Sequence, residues 1–470
     1  MKDFSLSDVS GARTDAPLYR ALTDAARRDA ARFHMPGHKG RPLPGGLWGG
    51  MTELDVTELS YSGNLYTETD GPIREAERAL AALYGAASAM LLTGGATQGV
   101  LSMLAACTTP GDTVIVHRNA HRSVFHALAL LDLHPRDLFC GAVSPFGVED
   151  GVDPVCLEEA LREAPHARAV VITSPSYYGV LTDIAALAPI CKRYGVKLLV
   201  DAAHGAHVPF AVPPDDASEL ASGGEACHPL VQGADVAVFS AHKTLRALGQ
   251  SAFLLHAETV DADRLRAFTS VFGTSSPSYL LMASVDIARA GLAGEDREGW
   301  TRAAGFGCYL RKKYTYLLSN RHLRSGRSEP CRLCLYTGDG YGDALRLERE
   351  RALFCEMADR TNLVLILSSS DPPDWWERLE QALSALPVRQ APPPQAPPPP
   401  VRLLTPRQAL FAQAERLPLG QCAGRITCEP IAPYPPGVPL VAAGEKIDKI
   451  HLEILGKLCY TMDEPTRVVK

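Results

Sequence analysis

Lys243 is the side chain of this sequence best placed for covalent chemistry. It stands in the segment FSAHKTLRALGQSA, where Ser240, His242 and Thr244 crowd the end of an apolar run that predicts a β-strand. A lysine amine held at such a junction can bind an aldehyde covalently. A lone lysine after a strand can equally be a surface residue, so this interpretation depends on supporting residues elsewhere.

Asp201 ends another apolar run, KLLVD, upstream of Lys243. A carboxylate at this position either caps the next helix or faces a cationic ring nitrogen. An aspartate paired with a pyridinium nitrogen, together with a lysine that binds the aldehyde, is the pattern of pyridoxal phosphate enzymes. The interval between Asp201 and Lys243 leaves room for a crossover and one more strand.

A glycine-rich segment and a histidine would complete such a site. Residues 94–99, GGATQG, follow the strand candidate SAMLL and precede an apolar helix, so their backbone amides could bind a phosphate dianion. No GK[ST] follows, which excludes a Walker loop. His121, in NAHRS after the strand candidate TVIVH, is either a structural residue or a ring that stacks on a flat cofactor.

The elements that must position these residues alternate between helices and strands. PIREAERALAALYG predicts a helix that begins near Pro72 and ends at Gly85. Short β-branched runs, SAMLL, TVIVH, ARAVVIT, KLLVD and ADVAVFS, alternate with helical patterns, which indicates βαβ units. The predicted fold class is α/β, with a mostly parallel central sheet in a large domain and a smaller α+β part towards the C-terminus. In such sheets functional loops lie at the carboxyl ends of strands, where these motifs stand.

Changes in composition suggest the domain boundaries. The pattern weakens after residue 290, and APPPQAPPPP reads as a stiff polyproline segment. A second proline cluster, PYPPGVP, is interpreted as a rigid turn in an ordered C-terminal unit. We predict an N-terminal arm at 1–50, a large cofactor-binding domain at 51–290, a small α/β region at 291–390, a proline-rich linker at 391–400 and a C-terminal domain at 401–470.

Composition excludes several classes of function. The 470 residues are 46 % hydrophobic and 21 % charged, as in an ordinary globular protein. The net charge of −6 and the lack of a basic run argue against a nucleic-acid partner. No apolar run reaches the length of a membrane span, and the first residues are polar, so we expect a cytoplasmic protein without a membrane partner. Twelve scattered cysteines predict free thiols, and neither the Cys331–Cys334 pair nor His204 and His207 has further ligands at metal spacing, so we expect no metal site.

Taken together, these motifs resemble the Orn/Lys/Arg decarboxylase family of fold-type-I pyridoxal phosphate enzymes, in its short form. The resemblance covers most of residues 30–290 and recurs near the C-terminus. The segments that carry it are FHMPGHKG (33–40), DVTEL (55–59), GPIREAERALAALYGA (71–86), GGATQG (94–99), NAHRS (119–123), PSYYGVLTDI (175–184), DAAHGAH (201–207), SAHKTLRALGQSA (240–252), TSSPSYLLMASVD (274–286) and PYPPGVPL (433–440).

The resemblance implies a role for each matching position around the cofactor ring. Lys243 matches the lysine that binds pyridoxal 5'-phosphate covalently, and Asp201 the carboxylate that keeps its ring nitrogen protonated. His121 matches the ring-stacking histidine, and Ala203 the small residue on the opposite face. His204 falls where a side chain can approach the phenolic oxygen.

Other matches concern the phosphate and a second subunit. His242 matches a histidine close to the cofactor. Ser275 and Ser276 match a segment that family dimers present to the neighbouring subunit's phosphate, which implies a homodimer or higher homo-oligomer with active sites at the interface. The phosphate-binding positions would be Gly95, Ala96, Thr97 and Ser240.

Two departures from the family pattern bear on these roles. Members usually have serine or threonine where Ala96 stands, so one side-chain contact to the phosphate would be missing. Members often have glutamate where Ala202 follows the aspartate. The region 291–400 matches only loosely, and it should help to shape substrate specificity.

The implied activity is decarboxylation of lysine, arginine or ornithine to an amine and CO₂, in polyamine metabolism, with Lys243, His121 and Asp201 as catalytic residues. Two alternatives stay open: an aminotransferase or lyase that uses the same cofactor, and a catalytically silent regulatory homologue. The substrate's distal cation needs a carboxylate partner, and the sequence does not choose among the candidates. These are Glu58, Glu68, Asp70 and Glu356.

Overall fold

A computed structural model of the chain describes residues 15–28, 30–46, 48–139, 143–387, 389, 398–434, 437–458 and 460–470. Its strands are, in chain order, β1 (Ser88–Leu92), β2 (Thr113–His117), β3 (His134–Leu138), β4 (Ala169–Thr173), β5 (Val180–Thr182), β6 (Lys197–Asp201), β7 (Val236–Ser240), β8 (Ala252–His256), β9 (Gly326–Ser328), β10 (Arg332–Tyr336), β11 (Met357–Ala358), β12 (Asn362–Ile366), β13 (Ala414–Pro418) and β14 (Pro465–Val469).

Helices flank the strands. The α-helices are α1 (Pro17–Ala26), α2 (Gly49–Leu54), α3 (Pro72–Tyr84), α4 (Gly95–Cys107), α5 (Arg122–Leu130), α6 (Pro154–Glu163), α7 (Ile184–Tyr194), α8 (Ala241–Thr244), α9 (Ala262–Val271), α10 (Tyr279–Leu292), α11 (Glu295–Lys313), α12 (Gly340–Arg351), α13 (Pro373–Ala385), α14 (Pro406–Phe411) and α15 (Lys449–Lys457).

A seven-stranded sheet with the order β1-β8-β7-β6-β4-β2-β3 forms the centre of the molecule. Only β8 runs antiparallel to its neighbours within this sheet. Successive residues of its strands alternate between two apolar layers: Leu198 and Val200 pack on one face, and Leu199 on the other. Burial on both faces is typical of a parallel sheet covered by helices. The predicted α/β class with a mostly parallel sheet is confirmed.

The register of this sheet places three polar residues at one edge. Thr173 ends β4 and is paired with Asp201, which ends β6. The neighbouring strand β7 ends at Ser240. Because these strands are parallel, their carboxyl ends share one edge, and the loops that follow them open on the same side of the sheet.

Helix boundaries follow local chemistry. Helix α3 has Pro72 at its first position and Gly85 in the left-handed conformation at its end, as predicted. Helix α4 begins at Gly95, so the glycine-rich loop is shorter than the sequence suggested, and Ala96 and Thr97 already belong to the first helical turn. None of the described helices combines the length and apolarity that crossing a membrane requires.

Smaller sheets follow the central one. Strands β10, β12 and β11 form an antiparallel sheet, β5 pairs with β9, and β13 pairs with β14. The C-terminal residues have an apolar core of their own and also contact the large sheet region, where α14 packs on α5. Residues 391–397 of the predicted linker lie outside the described residues, and the domain boundaries stay predictions.

Candidate active site

A cavity of about 560 Å³ opens at the carboxyl ends of β4, β6 and β7. It gathers residues far apart in the chain, because each strand of a parallel sheet delivers its following loop to the same edge. The predicted site residues that line it are Gly95, Ala96, Thr97, His121, Asp201, Ala203, His204, Ser240, His242 and Lys243.

Asp201 provides a buried carboxyl group in the cavity. Asp201 is 3 % exposed, and its Oδ1 accepts a hydrogen bond from the Ala203 amide at 3.1 Å. A buried carboxylate is costly unless a cation or several hydrogen bonds compensate it. Asp201 is therefore suited to a ligand that brings a cationic nitrogen to the floor of the cavity.

Lys243 lies on the short helix α8, directly after β7. Its Nζ is 3.1 Å from Nε2 of His204. Burial lowers the pKa of Lys243, while the charge of Asp201 acts in the opposite direction. Lowering the pKa of a lysine increases the fraction of free amine, which is the nucleophilic form.

His204 is fixed in one tautomer by Arg332, a residue of β10 that is fully buried. Nη2 of Arg332 lies 3.1 Å from Nδ1 of His204. Because a guanidinium group can only donate, Nδ1 must accept, and the proton of the neutral imidazole sits on Nε2. Nε2–H then points at the Nζ of Lys243. Burial first, and then Arg332, lower the pKa of His204 well below its usual range.

His121 is the N-cap of α5 and lies half-buried in the cavity wall. Its Nδ1 accepts a hydrogen bond from the Ser123 amide at 3.3 Å and lies 2.9 Å from the Ser123 hydroxyl. Burial lowers the pKa of His121, and Asp201 opposes this effect. A neutral ring with a fixed edge is suited to stacking on a flat ligand.

The predicted phosphate-binding residues lie at the N-terminus of α4. Gly95, with a φ of +72°, Ala96 and Thr97 line the cavity there, and among the described residues no side chain caps the first turn. A thirteen-residue helix offers both free amides and a positive dipole end at this point. Ser240 adds a hydroxyl from the end of β7.

These groups fit pyridoxal phosphate on their chemistry. The α4 N-terminus suits a phosphate, Asp201 suits a pyridinium nitrogen, and Lys243 suits an aldehyde. One more observation supports a polar ligand: the buried Oγ1 of Thr173, which borders the cavity, has no hydrogen-bond partner among the described residues.

Sequence reasoning missed several residues of the wall. Tyr177 and Tyr434 stand in motifs quoted above, PSYYG and PYPPGVPL, but neither motif carried a side-chain role. Arg332, which contacts His204 from behind the wall, stands in no recognised motif, so only this contact identifies it. The other wall residues without a predicted role are Asn119, Arg122, Ser123, Thr173, Ile366 and Val438.

Of the carboxylates proposed for the substrate, Glu356 alone lines the cavity described here. Its Oε1 accepts a hydrogen bond of 2.6 Å from the hydroxyl of Tyr177. Asp70 pairs instead with Arg78 on the surface at 2.9 Å. Glu58 and Glu68 also lie outside the cavity wall.

Ser275 and Ser276 lie on an exposed segment outside this cavity. Their predicted contact concerns a second subunit and stays a prediction.

One group of potential metal ligands, His207, Glu329 and Cys331, is buried behind the site. Glu329 accepts a hydrogen bond from the Cys331 amide at 2.6 Å, and it lies 3.3 Å from His207 Nε2. The guanidinium group of Arg332 also lies 3.7 Å from Glu329. A neighbouring cation opposes a metal ion, so we assign this group a structural role.

Comparisons with known proteins agree on one family. Residues 16–323 match the model of the Orn/Lys/Arg decarboxylase major domain, and residues 399–462 match the C-terminal domain of the same family. The chain is 32 % identical to the uncharacterized protein YaaO of Bacillus subtilis over 467 residues, 94 % of each chain. It is 28 % identical to the arginine decarboxylase of Bacillus subtilis over 469 residues, 94 % of this chain and 93 % of that one.

The fold also has solved counterparts. The lysine decarboxylase LdcF of Francisella novicida superimposes with a TM-score of 0.78 at 18 % identity, covering 97 % of this chain and 81 % of that one. At this identity the similarity establishes the shared fold.

Proposed function

The chain belongs to the Orn/Lys/Arg decarboxylase family, and from this premise we propose that it removes the α-carboxyl group of a basic amino acid as CO₂, with pyridoxal 5'-phosphate as its cofactor. One observation carries the proposal: a nucleophilic lysine, a buried carboxylate and a helix N-terminus line a single cavity. The similarity to arginine decarboxylases supports a substrate with a cationic side chain.

Six groups would hold the cofactor. Lys243 would bind its aldehyde, Asp201 would hold a proton at its ring nitrogen, and His121 and Ala203 would contact the two faces of its ring. The amides of the first turn of α4, with Ser240, would bind its phosphate. When bound, the cofactor supplies an electron sink for the pair released as the bond from Cα to the carboxylate breaks.

The residues of this chain would then orient the bound ligand and transfer a proton to Cα. His121 would keep the plane of the ligand fixed and so help to hold the bond from Cα to the carboxylate perpendicular to that plane. His204 directs its Nε2–H at the Nζ of Lys243 and so positions that amine, and Lys243 would be the group that returns a proton to Cα after CO₂ leaves.

Glu356 is the carboxylate we propose for the substrate's distal cation. It lines the same cavity as Lys243, and its position is held by the hydrogen bond from Tyr177. A charge-assisted hydrogen bond between a carboxylate and an ammonium or guanidinium group gives both affinity and orientation.

We also propose a role in forming polyamine precursors, a homodimeric or larger assembly, and a cytoplasmic location. The amine released from a basic amino acid is itself a polycation or its precursor. The exposed Ser275 and Ser276 are accessible to a second copy of the chain. Buried cysteine thiols, among them Cys191, Cys308 and Cys334, are typical of a reducing compartment.

The deciding experiment supplies the purified protein and pyridoxal phosphate with lysine, arginine or ornithine labelled at the α-carboxyl carbon. Decarboxylation releases labelled CO₂ and leaves one amine, identified by mass spectrometry. Formation of a keto acid without labelled CO₂ would establish transamination instead. Absence of any product, with the cofactor bound, would support a silent homologue.

A further inference from the structure

The turn that carries the PYPPGVPL motif contacts the loop that carries His121. The carbonyl of Gly437 accepts a hydrogen bond of 3.0 Å from the amide of Arg122. In the same loop, both terminal nitrogens of Arg118 donate to the two carboxylate oxygens of Glu445 at 2.8 Å. The C-terminal unit, residues 398–470, therefore holds the His121 loop from both sides of the histidine.

Gly437 lies beside the imidazole itself. It is buried, and a methyl group built on its Cα would lie 3.1 Å from Cδ2 and 3.2 Å from Nε2 of His121. Such a methyl group would force the ring, or the exposed Tyr434 at 3.3 Å, to shift by a few tenths of an ångström. Only a residue without a side chain permits the observed approach.

The opposite edge of the same ring is also fixed. Nδ1 of His121 accepts the hydrogen bond from the Ser123 amide at the start of α5. The imidazole is thus held at Nδ1 by its own helix, and Gly437 leaves room beside its Cδ2–Nε2 edge. A side chain at position 437 would enter this room and displace the ring from the plane that the hydrogen bond at Nδ1 gives it.

We infer that Gly437 is a positioning residue of the active site, through which the C-terminal unit sets the plane of the stacking histidine. The inference rests on the proposed function, since it assumes that His121 stacks on bound pyridoxal phosphate. It also assigns a role to a motif that the mechanism above does not use. Catalysis in the large domain would then depend on correct docking of residues 398–470.

Gly437 has a second reason to be glycine, because its φ is +80° and its amide donates to the carbonyl of Pro433 at 2.8 Å. The chain offers a matched control for this effect. Gly424, in the same C-terminal unit, has a φ of +84°, and a methyl group built on it would meet nothing within 4 Å. Gly424→Ala therefore imposes the same backbone strain without touching His121.

The test compares pyridoxal phosphate binding by the wild type, Gly437→Ala and Gly424→Ala, with affinity from titration and ring orientation from circular dichroism of the bound cofactor's visible band. We expect Gly437→Ala to weaken binding by about 3- to 10-fold, the scale of an aromatic stacking contact, and to change the dichroism. Gly424→Ala should match the wild type in both. Equal behaviour of the two variants would overturn the positioning role and leave the proposed function intact.

A double-mutant cycle with His121→Ala tests whether Gly437→Ala weakens cofactor binding through the imidazole of His121. Without the imidazole, Gly437→Ala should cause no further loss of affinity, whereas additive losses would show that Gly437 does not act through His121. If Gly437→Ala alone fails to fold, the His121→Ala background should restore folding by removing the collision. Failure of the double variant to fold would overturn the inference. A wild type that binds no pyridoxal phosphate would overturn both the inference and the proposed function.

Discussion

Arg332 and His204 form a hydrogen bond of 3.1 Å in the buried layer directly behind the cavity. The bond forces Nδ1 of His204 to be an acceptor and directs Nε2–H at Lys243. An ammonium group on Lys243 would face another donor, so the contact favours the free amine. Arg332, which does not line the cavity, thereby favours the free amine of Lys243, which does.

The first prediction concerns the pH dependence of cofactor binding. Arg332→Met removes a fixed cation whose charge lowers the pKa of Lys243. The pKa of Lys243 should therefore rise. Capture of pyridoxal phosphate should then reach the same rate only at a pH that is higher by about one to two units. Mixing experiments that follow the visible absorbance across pH measure this shift.

Two further variants control for other effects of this change. Arg327→Met removes an exposed arginine from β9 and should leave the profile in place. Arg332→Met combined with Glu329→Gln avoids leaving the buried Glu329 carboxylate without its neighbouring cation. An unchanged profile in the combined variant would show that Arg332 has no influence on Lys243.

The second prediction concerns covalent attachment of the cofactor. Lys243→Ala should abolish the visible band of the bound cofactor and its permanent attachment after borohydride reduction, because no other cavity residue named here has an amine. Mass spectrometry of the reduced protein gives the modified position. Lys192→Ala, a change at an exposed lysine of α7, should retain both signals. Attachment in the Lys243→Ala protein would refute the assignment.

The sequence predicts much of this site because the carboxyl ends of parallel strands meet at one edge of a sheet. Asp201 and Lys243 each follow an apolar run, and the strands β6 and β7 do bring the two residues to one edge. The sequence names Glu356 only as one of four candidate carboxylates and does not single out Arg332, because the contacts of both residues depend on how the region after residue 290 folds back onto the large sheet. Tyr434 and Gly437 lie in the predicted C-terminal domain, and no local pattern indicates that this domain returns to the cavity.

The third prediction tests the partner of the substrate's side chain. Glu356→Gln keeps the shape of the side chain but removes its charge, so kcat/KM for a basic amino acid should fall by about 10- to 100-fold, mostly through KM. Steady-state release of CO₂ provides the measurement. Glu348→Gln, on the exposed face of α12, is the control.

Norleucine, which lacks the distal cation, separates this role from others. Its slow turnover should be the same with Glu356→Gln as with the wild type. An equal loss for norleucine and for the basic substrate would place Glu356 at the reacting carbon instead.

The fourth prediction concerns docking of the C-terminal unit. Glu445 is buried and accepts hydrogen bonds from both terminal nitrogens of Arg118, as well as from Arg402 at 2.7 Å. Glu445→Gln leaves the buried Arg118 and the half-buried Arg402 with less compensation, so the free energy of unfolding should fall by about 3 to 5 kcal/mol. Glu415→Gln, which breaks the more exposed pair with Arg425, should cost about 0 to 1 kcal/mol. Urea denaturation measures both, and equal losses would contradict the proposed importance of the buried pair.

The fifth prediction uses the departure from the family pattern at the phosphate site. Ala96 lies in the first turn of α4 and lines the cavity, so a hydroxyl there could donate to a bound phosphate. Ala96→Ser should tighten pyridoxal phosphate binding by about 2- to 10-fold, the contribution of one added hydrogen bond. Ala106→Ser makes the same change at the far end of the helix and should leave the affinity unchanged. Titration with inorganic phosphate should show the same ranking as the cofactor, because the added contact is to the phosphate alone. An Ala96→Ser protein that binds both ligands no better than the wild type would indicate that the phosphate lies elsewhere in the cavity.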